Sequence, residues 1–321
     1  MNRRTVLSLA AGALAAAATT APALADDPVA LVVGQKGSWD SMIAPYGVER
    51  GFFKKERIEL KMSYSAGGPD TIQAVATGSD DFGFGIGTTA VIAAFAKGAP
   101  TRIASADFTG GGDLYFYAKP DSPINSFADM TGKSIGFTRV GSSTYAVEHA
   151  LADQFKVQPN FVSTGEVAAT LTQVMSGQID VGWSVVPELL DLVGQKKIKV
   201  IARGSEAKIL AGQTVRVNVV NTNFLRDHRD VAVRFYRAYA ATLNEVYRDM
   251  DRAVAFYAQF AGIALDQAKA IKAYENPQNS ALFPVAGFEQ SLKDALDYKF
   301  IPTPLTADQQ KGIFEILAPH K

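Results

Sequence analysis

Three loops of this chain carry the residue types that hold small polar ligands: Ala66-Gly67-Gly68, Gly85-Ile86-Gly87-Thr88-Thr89 and Val140-Gly141-Ser142-Ser143-Thr144. Glycine lets a backbone come close to a ligand. A helix starting after each loop offers unpaired amide N–H groups and the positive end of its dipole. That combination suits a carboxylate, sulfonate or phosphonate, so Gly68, Thr88, Thr89, Ser142, Ser143 and Thr144 are candidate contacts. The competing reading is that Thr88, Ser142 and Ser143 only cap helices, each for about 1 kcal/mol. Arg139 and Arg216 offer planar forks to an oxyanion, or else solvated charge or an ion pair between lobes. The two tryptophans, Trp39 and Trp183, can sandwich a ring or cover an aliphatic stem, or can be ordinary core. Ser38 shares the turn of Trp39. Glu188 follows Pro187 and suits an amine or a pyrimidine, or is simply a first-turn carboxylate favoured by a helix dipole.

Much chemistry is missing. With no cysteine there is no thiolate metal site, thiol nucleophile or lipid-attachment residue. His149, His228 and His320 have no companions at metal-ligand spacing. No Gly-x-Ser-x-Gly elbow, phosphate loop or dinucleotide fingerprint is present. No catalytic residue, metal or cofactor is therefore expected, and the protein is not expected to be an enzyme. Lys plus Arg equals Asp plus Glu at 32 each, which gives no reason to expect a nucleic-acid partner.

The 321 residues suffice for roughly two domains with their own cores. Short apolar runs alternate with amphipathic segments, which predicts an α/β fold. Strands are expected at 29–33, 58–64, 81–85 and 101–106, then at 134–138, 180–184 and 199–202. Helices are expected from Gly67-Gly68-Pro69-Asp70 and Gly87-Thr88-Thr89, and at 142–155, 166–176 and 187–193. Segments 114–118 and 214–220 read as paired crossings, so residues 26–118 with 214–321 make one lobe and 119–213 the other. Open parallel sheets bind ligands beyond the carboxyl ends of their strands, which is where the three loops fall. Residues 1–25 read as a cleavable signal peptide: Arg3 and Arg4, a small-apolar run over 6–18, then Ala23-Leu24-Ala25. A mature chain from Asp26 in the periplasm is expected, by the twin-arginine or the general secretion route.

Tyr46-Gly-Val-Glu-Arg-Gly-Phe-Phe-Lys-Lys-Glu-Arg-Ile-Glu-Leu60, residues 68–85, Asp129-Met-Thr-Gly-Lys-Ser-Ile-Gly136 and Met175-Ser-Gly-Gln-Ile-Asp-Val181 stand in one order along the chain. In these segments the chain resembles the nitrate, sulfonate and taurine type of ABC-importer solute-binding proteins, which includes binders of thiamine-precursor pyrimidines and aromatic acids. Within them, Gly51-Phe52-Phe53 and Gly177-Gln-Ile-Asp180 read as helix stops, which is scaffold rather than chemistry. The resemblance implies a two-lobe, type II periplasmic binding protein fold with a hinge of two crossing strands. It also implies a small-molecule ligand and the membrane permease of an importer as partners. The expected ligand is a small organic anion, a sulfonate or carboxylate. The alternatives are a thiamine-precursor-like pyrimidine held by Trp183 and Glu188, and a ligand sensor that docks on a receptor kinase. With no coiled-coil heptads, a monomer is expected.

Overall fold

The computed structural model describes residues 25–318; the expected signal segment up to residue 24 and His320 lie outside them. Among the described residues, ten strands form two five-stranded sheets. In chain order they are β1 (Asp27–Gly34), β2 (Ile58–Ser65), β3 (Phe82–Gly87), β4 (Thr101–Thr109), β5 (Leu114–Ala118), β6 (Ser134–Phe137), β7 (Asn160–Ser163), β8 (Val181–Val185), β9 (Lys199–Arg203) and β10 (Thr214–Asn221). The first sheet has the order β2-β1-β3-β10-β4 and the second β7-β6-β8-β5-β9. In the first, β1 is parallel to β2 and β3, while β10 is antiparallel to β3 and β4. The second repeats this plan, with β6 parallel to β7 and β8 and β5 antiparallel to β8 and β9.

The antiparallel strand of each sheet is the first one made after the chain arrives from the other. Passage occurs in residues 110–113 and 204–213, so Leu114–Ala118, placed by the sequence with the first lobe, lies inside the second sheet. All five of its residues are buried, and a strand covered on both faces belongs in a sheet interior. The two passages touch at glycines. A Cβ on Gly204 would lie 2.2 Å from the Gly111 carbonyl oxygen, so no larger residue fits there without separating the segments.

Local sequence explains most helix bounds. Gly68–Thr77 opens with Pro69 in its first turn and stops at Gly78, whose φ of 79° suits a residue without Cβ. Gly51 and Gly177 stop helices in the same way, as expected. The expected helix at 187–193 begins instead at Leu190, because Leu189 takes a left-handed conformation. Strand β7 was not foreseen: it pairs only with β6 and has no buried residue, so it lacks an apolar signature. The long helix Arg229–Arg248 packs Phe235, Tyr236 and Tyr239 under the first sheet, with Phe235 stacked on Phe82 at 4.3 Å. No described helix is long and apolar enough to cross a membrane.

Candidate functional site

The carboxyl ends of β1, β3 and β6 face one another across the gap between the sheets, and the cavity there has two connected parts. One, of about 540 Å³, is a glycine and hydroxyl cradle that includes Gly34, Ser38, Gly68, Gly87, Thr138, Ser142, Ser143, Thr144 and Trp183. The other, of about 460 Å³, is an aromatic slot formed by Trp39, Phe108, Tyr239 and Tyr247 with the acids Asp40, Asp107, Asp113 and Glu275. Asp40, Asp113, Val185 and Arg216 border both parts.

Arg216 is the centre of the arrangement. It comes from β10, and its Nη2 donates to Asp113 Oδ2 at 2.5 Å, its Nε lies 3.6 Å from Asp107 Oδ2, and its Nη1 reaches Ser143 Oγ at 3.5 Å. The guanidinium lies over the Phe108 ring, 4.6 Å from its centroid. Arginine and both aspartates are nearly free of solvent, with side-chain exposures of 9%, 5% and 7%. Burial works against the arginine charge, but Asp113, Asp40 and Asp107 outweigh it and hold Arg216 charged. Burial pushes Asp107 up to about 7, aided by Asp40 and Asp113 and opposed by Arg216. It raises Asp113 as well, again against Arg216. Glu275 is pushed to about 8 by burial, although Tyr247 donates to it at 2.8 Å.

Several buried polar atoms at this cavity have no hydrogen-bond partner: Trp183 Nε1, Asp113 Oδ1, Asp107 Oδ2 and Arg216 Nε. Trp39 Nε1 is unpaired by geometry, although it lies close enough to the Tyr247 hydroxyl to lower that group's pKa. A folded protein leaves few such atoms, so their concentration at one cavity makes it the candidate site.

The structure brings most of the sequence candidates together. Ser38, Gly68, Ser142, Ser143, Thr144 and Trp183 border the cradle, Trp39 the slot, and Arg216 both. Ser38 donates to Asp40 Oδ1 and to the Gln35 carbonyl. Thr144 Oγ1 accepts from the Thr138 amide at 3.0 Å. Four candidates fall elsewhere. Thr88 spends its hydroxyl on the Thr214 carbonyl at 2.7 Å, and Thr89 is buried beside it without bordering the cavity. Arg139 pairs with Asp70 at 3.1 Å, about half exposed, which is the ion pair between lobes that was its alternative. Glu188 lines a separate opening with Lys36, Tyr64 and Glu166, where burial, Asp40 and Glu166 push it to about 7. Asp107, Asp113, Tyr239, Tyr247 and Glu275 were missed.

Ser142 serves as a cap: its Oγ accepts from the Tyr145 amide at 3.2 Å at the start of helix Ser143–Phe155. Ser142→Ala is expected to lower apoprotein stability by about 1 kcal/mol, read as a drop of a few degrees in Tm; an unchanged Tm would show that the cap is dispensable.

Two α/β sheets of matching topology, closing their strand ends on one buried polar cavity, define a periplasmic binding protein fold. Over residues 41–253 the chain matches the family described as NMT1/THI5 like, and it belongs to that family. Solved structures of similar fold include the alkanesulfonate-binding protein SsuA from Xanthomonas axonopodis pv. citri bound to MOPS, 18% identical over 92% of this chain and 97% of that one, with a TM-score of 0.70. The periplasmic aliphatic sulphonate binding protein SsuA from Escherichia coli is 17% identical, with coverage of 92% and 95% and a TM-score of 0.69. The ligand binding component of an ABC-type import system from Staphylococcus aureus, with zinc bound, is 15% identical, with coverage of 91% and 97% and a TM-score of 0.73. No curated protein sequence matches the chain.

Proposed function

We propose that the protein is the periplasmic solute-binding component of an ABC importer, without catalytic activity of its own, and that its ligand is a flat, N–H-donating heterocycle such as an aminopyrimidine. The lobes are residues 26–113 with 214–321, and residues 114–213, because β5 pairs within the second sheet. The observation that carries the ligand class is the acidic rim of the aromatic slot, where Asp113 Oδ1 has no hydrogen-bond partner and Asp107 Oδ2 meets only Arg216 Nε, at the 3.6 Å of an ion pair. Whichever of these acids is ionised accepts hydrogen bonds and repels anions, which favours a ligand that donates. Among the described residues the one arginine at the cavity is already shared between those two aspartates, which argues against a sulfonate or carboxylate there. Trp39 and Tyr239 offer ring faces, and Trp183 N–H offers one donor to a ring nitrogen. Ligand contacts on both lobes then favour the closed form by population shift before delivery to a permease.

The test is a thermal-shift screen of the chain from Asp26 with 4-aminopyrimidines, amidines, taurine, alkanesulfonates and nitrate. A ligand that binds only the folded state raises Tm, by an amount that grows with ln(1 + L/Kd), where L is the free ligand concentration. Aminopyrimidines are expected to raise it and sulfonates not; the reverse pattern would return the ligand class to organic anions. With a binder in hand, Trp183→Phe keeps a ring but removes the donor, and should weaken affinity about 3- to 10-fold, the worth of one hydrogen bond. Equal affinity would take Trp183 out of the contact set.

A further inference from the structure

We infer that the cleft exchanges a proton for a cation: the unliganded Asp107–Arg216–Asp113 cluster holds one proton, and a cationic ligand drives it out to solvent. The inference rests on the proposed donor-binding role of this cleft and adds to it how the charge is balanced.

Two buried carboxylates share one buried guanidinium, so the cluster carries a net charge of minus one if both acids ionise. Uncompensated charge away from water costs far more than protonating a carboxyl group, and of two like acids sharing a site, one keeps its proton. Among the described residues lining the two parts of the cavity, Arg216 is the only one with a positive charge. The groups that act on Asp107 are Asp40 from the turn after β1, Arg216 from β10, Asp113 from the first passage between lobes and Asn218 of β10, whose side chain donates to it and favours its ionised form; it acts in turn on Tyr236 and Tyr239 of helix Arg229–Arg248. Glu275 adds another acid to the same slot, and its neighbours are Tyr247, Asp113, Asp40 and Arg216. Every group named apart from Arg216 is acidic or neutral. Asp113 Oδ1, without a hydrogen-bond partner, and the acids Asp107 and Glu275 beside it at the slot are the groups a positive ligand would meet. Once it does, its charge replaces the proton, the carboxyl becomes a carboxylate, and the proton passes to buffer. The raised Asp107 and Glu275 values, about 7 and 8, place this exchange near neutral pH.

The consequence is selectivity that depends on pH. A fixed cation competes with protons, so its affinity should rise about tenfold per pH unit below the cluster's titration and level off above it. A neutral isostere needs no exchange, so its affinity should stay level or fall as the cluster ionises.

The experiment is calorimetric titration of the chain from Asp26 with benzamidine, cationic throughout this range, and with its neutral isostere benzamide, in phosphate and in Tris at pH 6.5. The difference in heat between buffers counts protons. Benzamidine is expected to release between half and one proton and benzamide none, and the benzamidine Kd should fall roughly 20-fold between pH 5.5 and 7.5. Asp107→Asn removes one titrating acid and should abolish most of the release; where that variant does not fold, the pH series on the unmodified chain decides alone. Benzamidine binding with equal heats in both buffers and a flat pH series would overturn the exchange and leave the donor-binding reading intact. Failure of benzamidine and of every aminopyrimidine to bind would overturn that reading, and the exchange with it.

Discussion

Replacing Arg216 with methionine should cost the unliganded protein about 3–5 kcal/mol, the usual penalty for stranding a buried partner of an ion pair. The side chain holds Asp113 and Asp107 at once and bridges to Ser143 on the other lobe, so its loss leaves two dry carboxyl groups with no counter-charge. Both acids would then have folded-state pKa values even further above their unfolded ones. A raised carboxyl contributes stability in full below its unfolded pKa and loses it as pH rises through the folded value. The deficit of the variant should therefore be smaller at pH 5 than at pH 8, and thermal melts at the two pH values check this. Adding Asp107→Asn and Asp113→Asn should recover much of the loss, because the cost lies in the stranded acids more than in the missing cation. A deficit below about 1 kcal/mol at pH 8, typical of an exposed pair, would show that the cluster is solvated and would remove the main electrostatic argument for the cleft.

The same residue illustrates what the amino-acid order could and could not reveal. Arg216 was visible as a candidate because it lies in an apolar, β-branched run where a charge needs a reason. Its partners were not. Asp107 lies just past the expected strand 101–106 and Asp113 follows three glycines, positions where an acid is commonplace. Nothing local shows that they meet an arginine 103 residues away in the case of Asp113. Tyr239 and Tyr247 were hidden for a related reason: an amphipathic helix reveals its buried face, but not which end of that face reaches a cavity, and Glu275 lies in irregular chain with no periodicity to read. Sequence periodicity therefore gave the α/β alternation and the helix stops at Gly51 and Gly177, while the electrostatics of the site depended on tertiary contacts. The glycine and hydroxyl loops were legible because backbone geometry demands small residues at strand ends that approach a ligand. Thr88 was misread because a hydroxyl at a helix start can serve a neighbouring strand as readily as a ligand; here it holds the Thr214 carbonyl.

Gly87→Ala should reduce ligand affinity at least tenfold, about 1.4 kcal/mol, while leaving the Tm of the unliganded protein near that of the unmodified chain. Gly87 has φ −53° and ψ 127°, values that alanine adopts freely, so the substitution strains nothing within its own lobe. Its new Cβ would instead lie 2.3 Å from the Gly141 carbonyl oxygen and 3.2 Å from backbone atoms of Ser142 and Ser143, all on the opposite lobe. Backbone atoms anchored by the start of a helix cannot move aside as a flexible side chain would, so the relief available is for the lobes to part. Gly83→Ala is the control, because a Cβ there meets the Val75 side chain at 2.7 Å within the same lobe; it should lower Tm instead. Solution scattering separates the two cases: ligand should compact the unmodified chain but not Gly87→Ala. If Gly87→Ala bound ligand with unchanged affinity and compacted normally, the contact between β3 and the Gly141 loop would not belong to the liganded state, and closure would have to be assigned to other contacts, with the Arg139–Asp70 pair the next to test.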